Sequence, residues 1–180
     1  MPGKKKIIDK YSKFDLKDRK RHGAMGFIKF LGTAGARFVM IRQLRSSGGI
    51  WINFKSTNML LDPGPGAIVR CSSVRPRLDP TSLDAIFLTH KHLDHSGDLN
   101  VMIEAMTEGG FRKRGVLFAP DDSLGGNGVI FPYVEKFLEK IVILKEGTYS
   151  VGDINFSVVL KNIHPVDTYG VKFFLDKEIV

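Results

Sequence analysis

The 180-residue chain holds one cysteine, Cys71, one tryptophan, Trp51, and only five histidines. A lone cysteine excludes an internal disulfide and fits a reducing compartment. Cys71 stands well apart from the histidines in sequence and reads as a small, half-buried side chain rather than a nucleophile. No stretch approaches the ~20 consecutive apolar residues of a membrane span. The first residues carry lysines with no apolar run behind them, so no secretory signal is expected and the predicted setting is cytoplasmic. A P-loop is also missing: Gly125-Gly126-Asn127-Gly128 has neither the lysine nor the Ser/Thr that cradle phosphates. That stretch reads instead as a flap over a cleft. There is no internal repeat and no low-complexity segment. An apolar content of 43% with 26% charged residues describes an ordinary globular chain of one domain.

The net charge of +8 is unevenly placed. Residues 1–21 hold nine Lys/Arg against three Asp, and the remaining chain is close to balanced. Residues 1–25 therefore form a basic N-terminal extension, and residues 26–180 the domain proper. Such an arm can attract RNA through counterion release, or it is a solvated tail.

Scarce as they are, three histidines fall within six residues, in Thr89-His90-Lys91-His92-Leu93-Asp94-His95. The apolar run Ala85–Leu88 before them is short and bounded, as a buried strand is, and Ser96-Gly97 can turn the chain into a helix. Imidazoles just past a strand's end can be aimed at one point. Neutral His nitrogens and carboxylate oxygens are ligands zinc accepts at about 2.0–2.2 Å. The His90/His92 pair can converge on one ion, and Asp94 with His95 can face a second. His164 follows another strand-like run and supplies a third vertex. Three protein ligands with one open position is the pattern of a catalytic zinc site. The competing reading is a polar loop of solvated histidines.

Asp62, in Leu60-Leu61-Asp62-Pro63-Gly64-Pro65-Gly66, ends a strand because proline supplies no ladder donor. It is either the carboxylate that receives the second N–H of a metal-bound histidine or a plain turn-capping residue. Thr89 is expected to brace the loop through its hydroxyl. Strands are predicted at 26–31, 37–43, 50–54, 58–61, 116–119, 141–144, 154–160 and 169–175. Helices are predicted over 97–108 and 133–140, with a short one leading into Ala85. Arg70, Arg75 and Arg77 are solvated or steer an anionic substrate. The order suits a sheet layered with helices.

The sequence Thr89–His95 resembles the signature of the metallo-β-lactamase fold hydrolases. Phe30-Leu31-Gly32-Thr33-Ala34-Gly35-Ala36 and the Asp62–Gly66 turn are similar to the branch containing ribonuclease Z and related phosphodiesterases. The resemblance covers roughly residues 26–180. It implies an α/β fold, the N-terminal part of an αββα sandwich, with the Gly32–Gly35 turn near the metal cleft. It implies metal ligands His90, His92, Asp94, His95 and His164, with Asp62 and Thr89 behind them. The cofactor implied is zinc, one or two ions, with manganese or iron as alternatives. Oxygen-reducing di-iron relatives typically place glutamate where this chain has His92, which favours hydrolysis. The expected chemistry is attack by a metal-activated hydroxide on a phosphodiester such as RNA or a cyclic nucleotide, with Asp94 helping to orient the water. Thioester or lactone hydrolysis, or a catalytically inactive metal- or nucleic-acid-binding module, are the rivals.

The chain departs from that family at its end. A further metal-bridging aspartate and a last histidine, beyond the strand after Glu178, have no counterpart here. The second half of the sandwich is largely absent, as in the N-terminal part of a longer protein or a shortened relative. Weak binding of the second ion and reduced or no turnover are therefore expected. Apolar surface on Tyr169–Leu175 would favour a homodimer or aggregation.

Overall fold

The structure is a computed structural model and describes residues 26–35, 37–175 and 178–179. The basic arm lies outside the described residues. The first sheet runs in the order β1 (Gly26–Phe30), β2 (Ile50–Phe54), β3 (Thr57–Leu61), β4 (Ala85–Phe87), β5 (Val116–Ala119), β6 (Lys140–Ile143). The pairs β1/β2 and β2/β3 are antiparallel, and β3/β4, β4/β5 and β5/β6 are parallel. A second, antiparallel sheet has the order β10 (Glu178–Ile179), β9 (Tyr169–Leu175), β8 (Ile154–Lys161), β7 (Gly147–Val151). The helices are α1 (Arg37–Ile41), α2 (Ala67–Ser73), α3 (Leu93–Ser96), α4 (Leu99–Met106) and α5 (Pro132–Glu135).

The strands of the first sheet alternate between two cores, as a pleat of period two requires. Trp51, Leu60, Ile86 and Leu117 pack with Leu99, Met102, Ile103 and Met106 of α4 on the helical side. Ile52, Met59, Phe87 and Phe118 pack with Ile154, Phe156, Val158 and Phe173 between the sheets. Both faces are covered, which is why β4 is apolar without a break. Ile86 is fully buried on the helical side, so cutting it to alanine would cost about 2–5 kcal/mol. The layering is helices, sheet, sheet. At the far rim a latch joins the layers: Asp153 Oδ2 accepts from Ser56 Oγ at 2.9 Å, and Thr57 Oγ1 accepts from the Asp153 amide at 2.8 Å.

Several elements differ from the sequence expectation. Residues 37–41 are helical rather than extended, and the run's apolar side chains Phe38 and Ile41 are exposed. The helix expected over 133–140 closes after Glu135, because Lys140 already enters β6. Of the apolar residues expected to form a surface on Tyr169–Leu175, Tyr169 and Phe173 are buried in the inter-sheet core with Val171 packed against them, while the Lys172 ammonium lies over Phe174. Gly32 sits against the carbonyls of Ser46 and Ser47. Gly128 folds back on Ser123, closing the 125–128 stretch on itself. Arg70, expected at the surface, donates from Nε to the Leu31 carbonyl at 3.0 Å and ties α2 to the end of β1. Cys71 is fully buried, and burial pushes its thiol up to about 12, so it is inert.

Candidate metal centre

Three neighbouring parallel strands end on one side of the first sheet, and polar residues follow each within two positions. Asp62 follows β3, Thr89–His95 follow β4, and Asp121-Asp122 follow β5. Crevices at the carboxyl ends of parallel strands are where open α/β sheets bind ligands. The β8–β9 connection brings His164 over the same edge, and the Tyr169 amide donates to the Thr89 carbonyl at 3.1 Å.

The rings gather closely. Centroids of His90 and His92 are 5.0 Å apart, His90 and His164 5.2 Å, and His92 and His164 4.8 Å. His90 lies 4.0 Å from His95 on its other side. Two overlapping sets can hold a metal ion, His90/His92/His164 and His90/Asp94/His95, each with donor atoms within 4.8 Å of one another. His90 belongs to both and is the most buried of the five, 8% exposed.

Asp62 organises the back of this cluster. Its Oδ1 accepts the Thr89 amide at 2.7 Å. Its Oδ2 accepts the Thr89 hydroxyl at 2.8 Å and His95 Nδ1 at 2.8 Å. A carboxylate only accepts, so His95 carries its hydrogen on Nδ1. The Thr89 hydroxyl has given its hydrogen to Asp62 and so accepts from His90 Nδ1 at 3.0 Å. These tautomers follow from the acceptors, and both leave Nε2 free to bind a metal. Asp62 adopts φ +50°, a left-handed conformation that Asp tolerates. Gly64, two residues on, lies against the Asp94 carbonyl so closely that a Cβ would collide with it. The Asp-Pro-Gly turn thus holds both the carboxylate behind the histidines and the backbone of the ligand loop.

The electrostatics suit a cation. Burial pulls His90 down to about 4, aided by the neighbouring charge of His95 and opposed by Asp62. Burial also pulls on His95, but the hydrogen bond and charge of Asp62, with the charge of Asp94, outweigh it and leave His95 above its ordinary value. His90 therefore stays neutral at neutral pH, the form that binds metal. His90 and His95 with Nε2 unclaimed, backed by Asp62 and Asp94, fit a divalent ion.

All the residues expected from sequence, Asp62, Thr89, His90, His92, Asp94, His95 and His164, are brought together at this edge. Asp122 and Lys91 also belong to it and were not anticipated. Lys91 Nζ lies 3.2 Å from Asp122 Oδ2 and donates to the Asp122 carbonyl at 3.1 Å. The available signal was position alone, an aspartate just past a strand parallel to β4.

Among the described residues no helix is long and apolar enough to cross a membrane. An uncharacterized protein of Methanocaldococcus jannaschii is 36% identical over 124 residues, 67% of this chain and 46% of that protein. The ribonuclease Z of Thermococcus kodakarensis is 34% identical over 77 residues, 43% of this chain and 23% of that enzyme. The chain thus spans less than half the length of these curated relatives. The crystal structure of human tRNase Z, short form, superposes with a TM-score of 0.62 at 15% identity, covering 84% of this chain and 66% of that one, a likeness of fold. The family model described as Beta-lactamase superfamily domain matches residues 57–170, the strands, turn and histidine loop just described, and the chain belongs to that metallo-β-lactamase fold family.

Proposed function

We propose that the chain is a zinc-dependent hydrolase whose favoured substrates are phosphodiesters. The observation that carries this reading is the meeting of His90, His92 and His164 from two distant parts of the sequence around one point. His90, His92 and His164 would hold one ion, and His90, Asp94 and His95 would hold a second. Zinc held there would supply Lewis acidity and lower the pKa of a water molecule. The chain's own residues do the rest. Asp62 and Thr89 keep the hydrogens of His95 and His90 on Nδ1, and the Asp94 carboxylate accepts a hydrogen bond from the attacking water. The identity to a ribonuclease Z supports the phosphodiester class, as does the basic arm within residues 1–21, which adds a sequence-independent hold on RNA.

Hydrolysis of bis-p-nitrophenyl phosphate and of a thioester, each with zinc and with chelator, tests the proposal. Expected is slow phosphodiester turnover that chelator abolishes and zinc restores. Greater thioester turnover would overturn the substrate class. Rates on both that neither zinc nor chelator changes would overturn the zinc-dependent reading.

A further inference from the structure

His164 is the exposed member of the three-histidine set. Among the described residues no hydrogen bond orients its ring, so its place depends on the backbone of the 162–168 loop. Asn162, Ile163, His164 and Pro165 are all exposed, and burial does not fix them. The Asn162 amide donates to the Thr168 carbonyl at 2.8 Å, which closes the loop on itself, and the Tyr169 amide just past it donates to the Thr89 carbonyl at 3.1 Å. That bond holds the end of the loop, and a second contact reaches the loop nearer His164.

We infer that Asp122 is a positioning residue of the three-histidine centre, because one carboxylate oxygen joins the two loops that supply it. Oδ2 meets the Lys91 ammonium at 3.2 Å and accepts the Asp167 amide at 3.2 Å. Lys91 stands between His90 and His92, and Asp167 stands three residues after His164. Asp122 is itself fixed just beyond β5, in the 3-10 turn Asp121–Ser123. Asp122 Oδ1 is buried without a hydrogen-bond partner, so the pairing with Lys91 and the Asp167 amide is what compensates the carboxylate. The Lys91 side chain is 22% exposed and that of Asp122 27%, sheltered enough for a charged pair with a fixed amide to hold geometry better than a surface pair would. Losing a partner behind metal ligands typically costs ten- to a hundredfold in affinity. Asp122 acts one bond further away, so about tenfold is expected. The inference rests on the reading that the three histidines hold a metal.

The test compares Asp122→Ala, Asp122→Asn and Asp153→Ala with the wild-type chain. Zinc affinity is read by chelator competition, and contact between the His92 and His164 rings by NMR in the zinc-free protein. Asp122→Ala is expected to weaken zinc about tenfold and to lose the ring contact. Asp122→Asn keeps an acceptor for the Asp167 amide and should fall between. Asp153→Ala loosens the far rim and should leave zinc affinity unchanged, which separates positioning from general destabilisation. Cobalt-substituted Asp122→Ala should also show altered visible bands, as loss of one imidazole requires. Wild-type affinity and an intact ring contact in Asp122→Ala would overturn the inference, as would an equal loss of zinc in Asp153→Ala. Absence of zinc binding by the wild-type chain would instead overturn the metal reading, while the ring contact would still decide the role of Asp122.

Discussion

Replacing Asp62 by asparagine changes one oxygen to an amide nitrogen and removes one charge. Asparagine also tolerates positive φ, so the turn at +50° survives the exchange. Its remaining oxygen can keep the Thr89 amide, now 2.7 Å from Oδ1. The new NH2 stands where Oδ2 received the Thr89 hydroxyl and His95 Nδ1, each at 2.8 Å. The hydroxyl can rotate. The imidazole can answer an amide donor only by accepting at Nδ1, which moves its hydrogen to Nε2 and removes the lone pair a metal needs. Hydrogen bonds to charged groups contribute about 1.5–3 kcal/mol each, and one such bond is lost at His95. That corresponds to about a ten- to hundredfold weaker hold on the ion bound by His95, in line with the usual effect of removing such partners. Chelator competition with metal content per chain reads this directly. Asp62→Asn with wild-type affinity and wild-type stoichiometry would refute the reasoning, since the tautomer argument would then have no consequence.

Further outcomes follow from the same contacts. Gly64→Ala drives a Cβ into the Asp94 carbonyl and should cost about 1–3 kcal/mol in chemical denaturation, with weaker metal binding beside it. In the zinc-free protein, NMR titration should keep the His90 ring neutral down to about pH 4, with His95 protonating well before it. Between the ordinary histidine value and that point the unfolded chain binds the proton that His90 refuses, so His90 makes stability fall with acid. The His95 contribution has the opposite sign: it is full below the ordinary value and fades as pH rises through its raised one. Asp153 is held below the usual carboxylate range, mainly by the Ser56 hydroxyl and then the Ser56 amide. Its contribution is present above the unfolded carboxylate value and disappears as pH falls through the folded one. Asp153→Asn should therefore flatten the acid limb of the stability curve. Deleting residues 1–25 should reduce salt-dependent RNA binding; unchanged affinity would remove the arm from the account.

The site was legible where residue type and spacing are dictated by chemistry. Metal ligation admits few side chains, so a histidine cluster after a short apolar strand carried its meaning in the sequence, and so did Asp62 at the end of the strand beside it. Asp122 was not legible. Its value lies in reaching two loops at once, and only the parallel pairing of β4 with β5 brings it there. The buried strands β2 to β5 were readable because both faces are covered, which leaves apolar runs between turns. Residues 37–41 misled because an apolar run at an exposed position carries β propensity without a sheet partner. Gly147–Val151 went unread: its alternation is weak, and it becomes a strand through the hairpin with β8. Helix α2 was hidden by its length of seven residues, only Ala67 and Cys71 marking its buried face.

The most direct measurement is anomalous diffraction from crystals grown with zinc. A peak enclosed by the side chains of His90, His92 and His164, within coordination distance of all three, is the predicted result. A zinc-saturated crystal whose anomalous peak lies elsewhere, with those three rings unligated, would contradict the account.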